Sequence, residues 1–203
     1  MRASSAHLTG ETQAERERLA TLFGDLSPEQ WDTPSLCEGW RVREVVAHIT
    51  MPFRTKPLGA IAGTIRAGFS FDKYADRDAR SAAHENSGAE LVELLRRNIG
   101  NPWQPPGGGG TGALSHDVIH GLDATEPLGL PAPPADRIAL VLASTGPRQL
   151  RYFGVNLQGH HLTATDADVS VGDGANVVPM TAKGILLVVT GRHPLSRVSR
   201  ASQ

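Results

Sequence analysis

Only one cysteine, Cys37, stands among the 203 residues. A single thiol excludes an internal disulfide framework and any zinc finger or cluster built on cysteines, and it points to a cytoplasmic setting. An excess of one charge is equally lacking. The 20 Lys+Arg and 21 Asp+Glu leave a formal net charge of −1, whereas binding by phosphate neutralisation needs a basic face, so no nucleic-acid partner is expected. No apolar run approaches the roughly 20 residues of a membrane helix. The opening MRASSAHLTGETQAERER turns polar too soon for a secretory signal, so no membrane partner is expected either. The four glycines at 107–110 lack the Lys-Ser/Thr that completes a phosphate loop, and they read as a flexible linker.

What the chain does have is helical periodicity. Leu19, Leu22, Phe23 and Leu26 recur at i, i+3, i+4, i+7 and predict a helix over 11–26. Ser27 caps a short turn through SPEQW, with Pro28 at its first position. Val42, Val45, Val46 and Ile49 form one apolar face, and Pro52 ends or kinks that helix. Residues 58–69 read as a small-residue helix or a loop. Leu91, Leu94, Leu95 and Ile99 make the next stripe, stopped by Gly100. NPWQPPGGGGTG (101–112) reads as a loop, followed by a helix over about 112–124 and another within 133–154. Beyond residue 155 the pattern alternates, as in Leu162/Ala164 and Val169/Val171, which predicts a hairpin or small sheet. The final apolar run, ILLVV, reads as a helix with a threonine before it and Gly191 after it. The chain therefore divides into a helical part, 1–155, and a small α/β part, 156–203.

Eight histidines are present, and three of them sit where they can converge. His116 and His120 are four apart and project from one helical face. That spacing serves either a metal ion or a polar stripe. His48 lies beside the valine stripe of a different helix, as a ligand or as a satisfied core residue. Together the three make an open three-nitrogen site within a bundle. Asp123, three after His120 on the same face, either orients that histidine from behind or bonds locally at the helix end. Asp117 points off the ligand face and reads as solvated. Cys37 reads as a nucleophile, a ligand or an incidental buried thiol. Arg192 either clamps a substrate carboxylate bidentately or compensates a helix C-terminus. His160 and His161 are adjacent and read as turn or surface residues. His7, His84 and His193 have no partner at ligand spacing.

WDTPSLCEGWRVREVVAHI, followed by HDVIHGLDATEPLG and by a tail running from HLTATDADVSVGDGANV to AKGILLVVTGR, resembles the mycothiol-dependent maleylpyruvate isomerase family within the DinB/YfiT-like superfamily. The resemblance spans about residues 12–192. It implies a mainly α fold: a DinB-like four-helix bundle holding a divalent metal, followed by a small α/β C-terminal segment. His48 then matches the first ligand and His120 the ligand that ends the second motif. Position 116 is an acid in the named isomerase but a histidine in many superfamily members; here it is His116, a departure that keeps a metal site and bears on the isomerase activity itself.

The expectation is thus a metal-dependent enzyme, with zinc or else nickel as its ion, using mycothiol or another small thiol as cosubstrate. It would work as an isomerase or a thiol S-transferase on a small electrophile, as a monomer or homodimer. The alternative is a non-catalytic metal-binding or regulatory module of the same fold.

Overall fold

The structure is a computed structural model and describes residues 3–55, 57–106 and 108–195. Its contacts divide the chain into two compact units, Ser4–Pro131 and a second one that begins at Ala132.

The first unit carries α1 (Ser5–Gly24), α2 (Pro28–Trp31), α3 (Val42–Arg54), α4 (Pro57–Arg66), α5 (Phe71–Glu85), α6 (Gly88–Arg97) and α7 (Gly109–Thr125). Packing runs in a closed ring, α1 to α7, α7 to α3, α3 to α6 and α6 back to α1, with α5 laid along α3. This is the expected four-helix bundle. Its core joins Leu19 and Phe23 of α1, Val42, Val45, Val46 and Ile49 of α3, Leu91 and Leu95 of α6, and Ala124 of α7. Each fully buried valine or leucine contributes about 1.5–3 kcal/mol relative to exposure, so the α3 stripe alone commits that helix to the interior. Caps set the boundaries: Ser4, Ser27, Ser70 and Ser87 each accept a backbone N–H of the turn they precede.

Three local readings change. Pro52 does not end α3, which runs two residues further to Arg54; a proline in the last turn forfeits only the hydrogen bond to the His48 carbonyl four residues back. α1 begins at Ser5 rather than near residue 11, because Ser4 caps it. Gly109 and Gly110 open α7 and are not linker; Gly107 of that run lies outside the described residues. Gly121 has a packing reason within α7. A Cβ there would stand 2.9 Å from Leu19 Cδ2 and 3.4 Å from Glu15 Oε1, so glycine permits the close approach of α1.

The second unit holds α8 (Ala135–Leu142), α9 (Pro147–Tyr152), β1 (His160–Ala164), β2 (Ser170–Gly172), β3 (Asn176–Met180) and α10 (Ala182–Val189). The sheet order is β2-β1-β3, with β1 antiparallel to β2 and parallel to β3. Leu162, Val171 and Met180 are its buried positions, and α10 packs on both β1 and α8. Residues 132–155 therefore group with the sheet, whereas the sequence places the division at 155. No helix among the described residues is long and apolar enough to cross a membrane.

Candidate metal centre

Two helices supply three imidazoles. His48 sits midway along α3 beside the valine stripe and is 6% exposed. His116 and His120 lie one turn apart on α7, the neighbour of α3 in the ring. The ring centroids form a near-equilateral triangle: 5.2 Å from His48 to His116, 4.7 Å from His48 to His120 and 5.0 Å between the α7 pair. One nitrogen from each lies within 4.8 Å of the others. The structure thus brings together the three histidines singled out in the sequence.

Buried acids stand behind the α7 pair. His120 Nδ1 is 3.0 Å from Asp123 Oδ2, and His116 Nδ1 is 2.9 Å from Asp117 Oδ1. A carboxylate accepts, so each Nδ1 donates to its acid, an arrangement that in a neutral imidazole leaves the Nε2 lone pair for a ligand. Asp123 is wholly buried and also accepts from the Cys37 thiol at 3.0 Å. Cys37 is held in a turn tied to α7, where Leu36 N donates to the Asp123 carbonyl at 3.0 Å. Asp123 therefore sets a buried carboxylate oxygen against the His120 ring.

Asp117 is a correction to the sequence reading. It is not solvated: it is 1% exposed and pairs with Arg16 at 2.7 Å. Helical spacing does place it off the histidine face, but that side of α7 is covered by α1, so the off-face position is interior too. Arg16 itself gave a signal. It lies three before Leu19 on the buried stripe of α1, and a charge there demands a buried partner. Trp40 and Trp103 flank the triangle, 5.3 Å from His48 and 5.2 Å from His116. Trp40 is fixed by its indole N–H, which donates to Asp76 at 2.7 Å.

Electrostatics keep His48 neutral. Burial pushes its imidazole well below the ordinary 6.5; the adjacent His120 and His116 push the same way, Asp123 opposes them, and Arg54 adds a further lowering. His48 Nδ1 is buried without a hydrogen-bond partner among the described residues. A neutral imidazole costs no proton to ligate a cation. Three imidazole nitrogens within 4.8 Å of one another are a donor set that suits zinc and related divalent ions.

The remaining candidates belong to the second unit. Arg192 belongs to the second unit, where its Nη1 donates to the Thr190 carbonyl at 2.8 Å and its guanidinium lies 5.4 Å from the Phe153 ring centre. His160 and His161 open strand β1 instead of forming a turn. Among the described residues, the groupings with ligand-like geometry are the three histidines and the set Cys37, His120 and Asp123.

Residues 12–101 match the family model described as the mycothiol maleylpyruvate isomerase N-terminal domain. The family resemblance read in the sequence holds. No curated protein matches the chain. Among solved structures, the mycothiol-dependent maleylpyruvate isomerase shares the fold with a TM-score of 0.59 at 12% identity, covering 94% of this chain and 90% of that one. A variant of that enzyme with one histidine replaced by alanine gives a TM-score of 0.51 at 13% identity over the same shares. The match extends past residue 131, so the mainly α bundle followed by a small α/β segment is common to both chains.

Proposed function

We propose that this chain is a divalent-metal enzyme that uses a small thiol, such as mycothiol, to isomerise or thiolate a small electrophile. The observation that carries the reading is the triangle of His48, His116 and His120, with both α7 imidazoles held by buried acids and His48 kept neutral by burial. Membership of residues 12–101 in the isomerase's N-terminal domain family supports the thiol, and the fold shared with the mycothiol-dependent enzyme supports the same class of chemistry.

His48, His116 and His120 would hold the ion, which when bound polarises a thiol and lowers its pKa so that thiolate is present near neutral pH. The protein's own work is orientation. Asp123 fixes the His120 tautomer, Asp117 fixes that of His116, and Trp40 and Trp103 wall the triangle with apolar surface. All three donors are imidazoles, so a bound ion would keep its full positive charge. That favours thiolate formation, leaving the choice between conjugate addition with return of the thiol and displacement of a leaving group to the substrate.

The test is direct. Protein purified without a chelating tag is loaded with zinc, and thiol loss is followed in the presence of maleylpyruvate and of simple thiol-reactive electrophiles. Thiol consumption or isomer formation that disappears on chelation and returns with metal is the expected result. Stoichiometric metal with no turnover of any thiol would instead mark a binding or regulatory module.

A further inference from the structure

We propose that Arg16 is a positioning residue for His116, acting through Asp117. The proposal rests on the reading of the three histidines as metal ligands. The two α7 imidazoles are supported in different ways. Asp123 follows His120 by three residues, the spacing at which helical side chains stack, so its position on the helix already brings its carboxylate to Nδ1. Asp117 directly follows His116, and neighbouring helical side chains project about 100° apart. A carboxylate at that position does not naturally face the preceding ring. Arg16 supplies the missing constraint: its Nε donates to Asp117 Oδ2 at 2.7 Å, which leaves Oδ1 on His116 Nδ1 at 2.9 Å. Arg16 and Asp117 are each 1% exposed, so water does not compete for either bond.

Arg16 is itself anchored across the bundle. Its Nη1 contacts the carbonyls of Asn98, Ile99 and Asn101, at 3.3, 3.2 and 2.7 Å, where α6 ends and the chain turns. Its guanidinium carbon lies 5.1 Å from the Phe53 ring centre on α3. One side chain thus ties α1 to the end of α6, to α3 and, through Asp117, to a ligand on α7. Only a planar fork does this. A lysine ammonium offers a point charge and cannot bond Asp117 and the α6 carbonyls in fixed directions.

The experiment has one readout that needs no metal and one that does. In metal-free protein, nitrogen-15 NMR of the imidazoles, assigned with His116→Gln, should show His116 in the tautomer protonated at Nδ1. In Arg16→Gln that tautomer should give way to a mixture, and cobalt(II) affinity should fall ~10–100-fold, the usual cost of an outer-shell partner, with a changed visible spectrum. Arg16→Lys should not restore either readout. A core truncation, Leu95→Ala, should lower the melting temperature while leaving both unchanged. A folded Arg16→Gln with wild-type tautomer and cobalt affinity overturns the proposal, as does full rescue by lysine or an equal affinity loss in Leu95→Ala. Should Arg16→Gln fail to fold, Asp117→Asn is read in the same way, and unchanged tautomer and affinity there overturn it. If wild-type protein takes up no cobalt, the metal reading fails while the tautomer comparison still decides the relay.

Discussion

Two stretches of this chain carry paired histidines, and they differ in almost everything except composition. His116 and His120 sit one turn apart on α7, inside a ring of helices, each backed by a buried acid. His160 and His161 are adjacent in β1, so their side chains leave the strand on opposite faces, and His160 Nδ1 meets the nearby Gln158 carbonyl, at 3.1 Å. The first pair gains a third imidazole from α3; the second gains none among the described residues. What makes a candidate site is therefore convergence and an orienting partner for each ring, not the number of histidines.

Breaking the α7 pair should have the largest effect. His120→Ala removes one of three donors, so bound zinc should be lost beyond the ~10–100-fold typical of an outer carboxylate, as read by equilibrium competition with a chelator. Asp123→Asn should come next. It keeps the size but can present an amide N–H to His120 Nδ1, and zinc affinity should fall ~10–100-fold with the fold intact.

The third prediction concerns pH and follows from His48. Its folded pKa lies below the ordinary 6.5 because of burial, so the native state resists a proton that the unfolded chain accepts. The sign follows: this contribution to metal-free stability is complete above about pH 6.5 and is lost as pH falls through that value towards the folded pKa. His48→Phe removes the titration. The gap in urea midpoint between variant and wild type should therefore shift in favour of the variant between about pH 7.5 and about pH 5.5. The smallest effect belongs to the other pair: His160→Ala should leave metal content unchanged and move stability by no more than about 0.5 kcal/mol.

Much of this contrast was legible in the sequence, for reasons particular to each element. The α3 stripe is strongly apolar at helical spacing, so both the helix and the place of His48 beside it could be read. The α7 pair announced itself by its four-residue interval. α5 was not read, because FDKYADRDARSAAHE buries only alanines, Ala75, Ala79, Ala82 and Ala83, and their stripe is drowned by the surrounding charges. Asp117 was misjudged because periodicity reports one helix at a time, while its partner Arg16 lies 101 residues earlier in the chain. The same limit hid the grouping of residues 132–155 with the sheet, which depends on α8 packing against α10. Helix faces are local information; what covers them is not.

The most direct test of the account is metal per chain, measured by elemental analysis on untagged protein equilibrated with zinc, for wild type and His48→Ala side by side. His48 lies on a different helix from the other two ligands, so its loss separates a centre shared by two helices from adventitious binding to the α7 pair. One ion per wild-type chain is expected, and none retained by folded His48→Ala after desalting. A wild-type chain without zinc, or a folded His48→Ala that keeps its full complement, would contradict it.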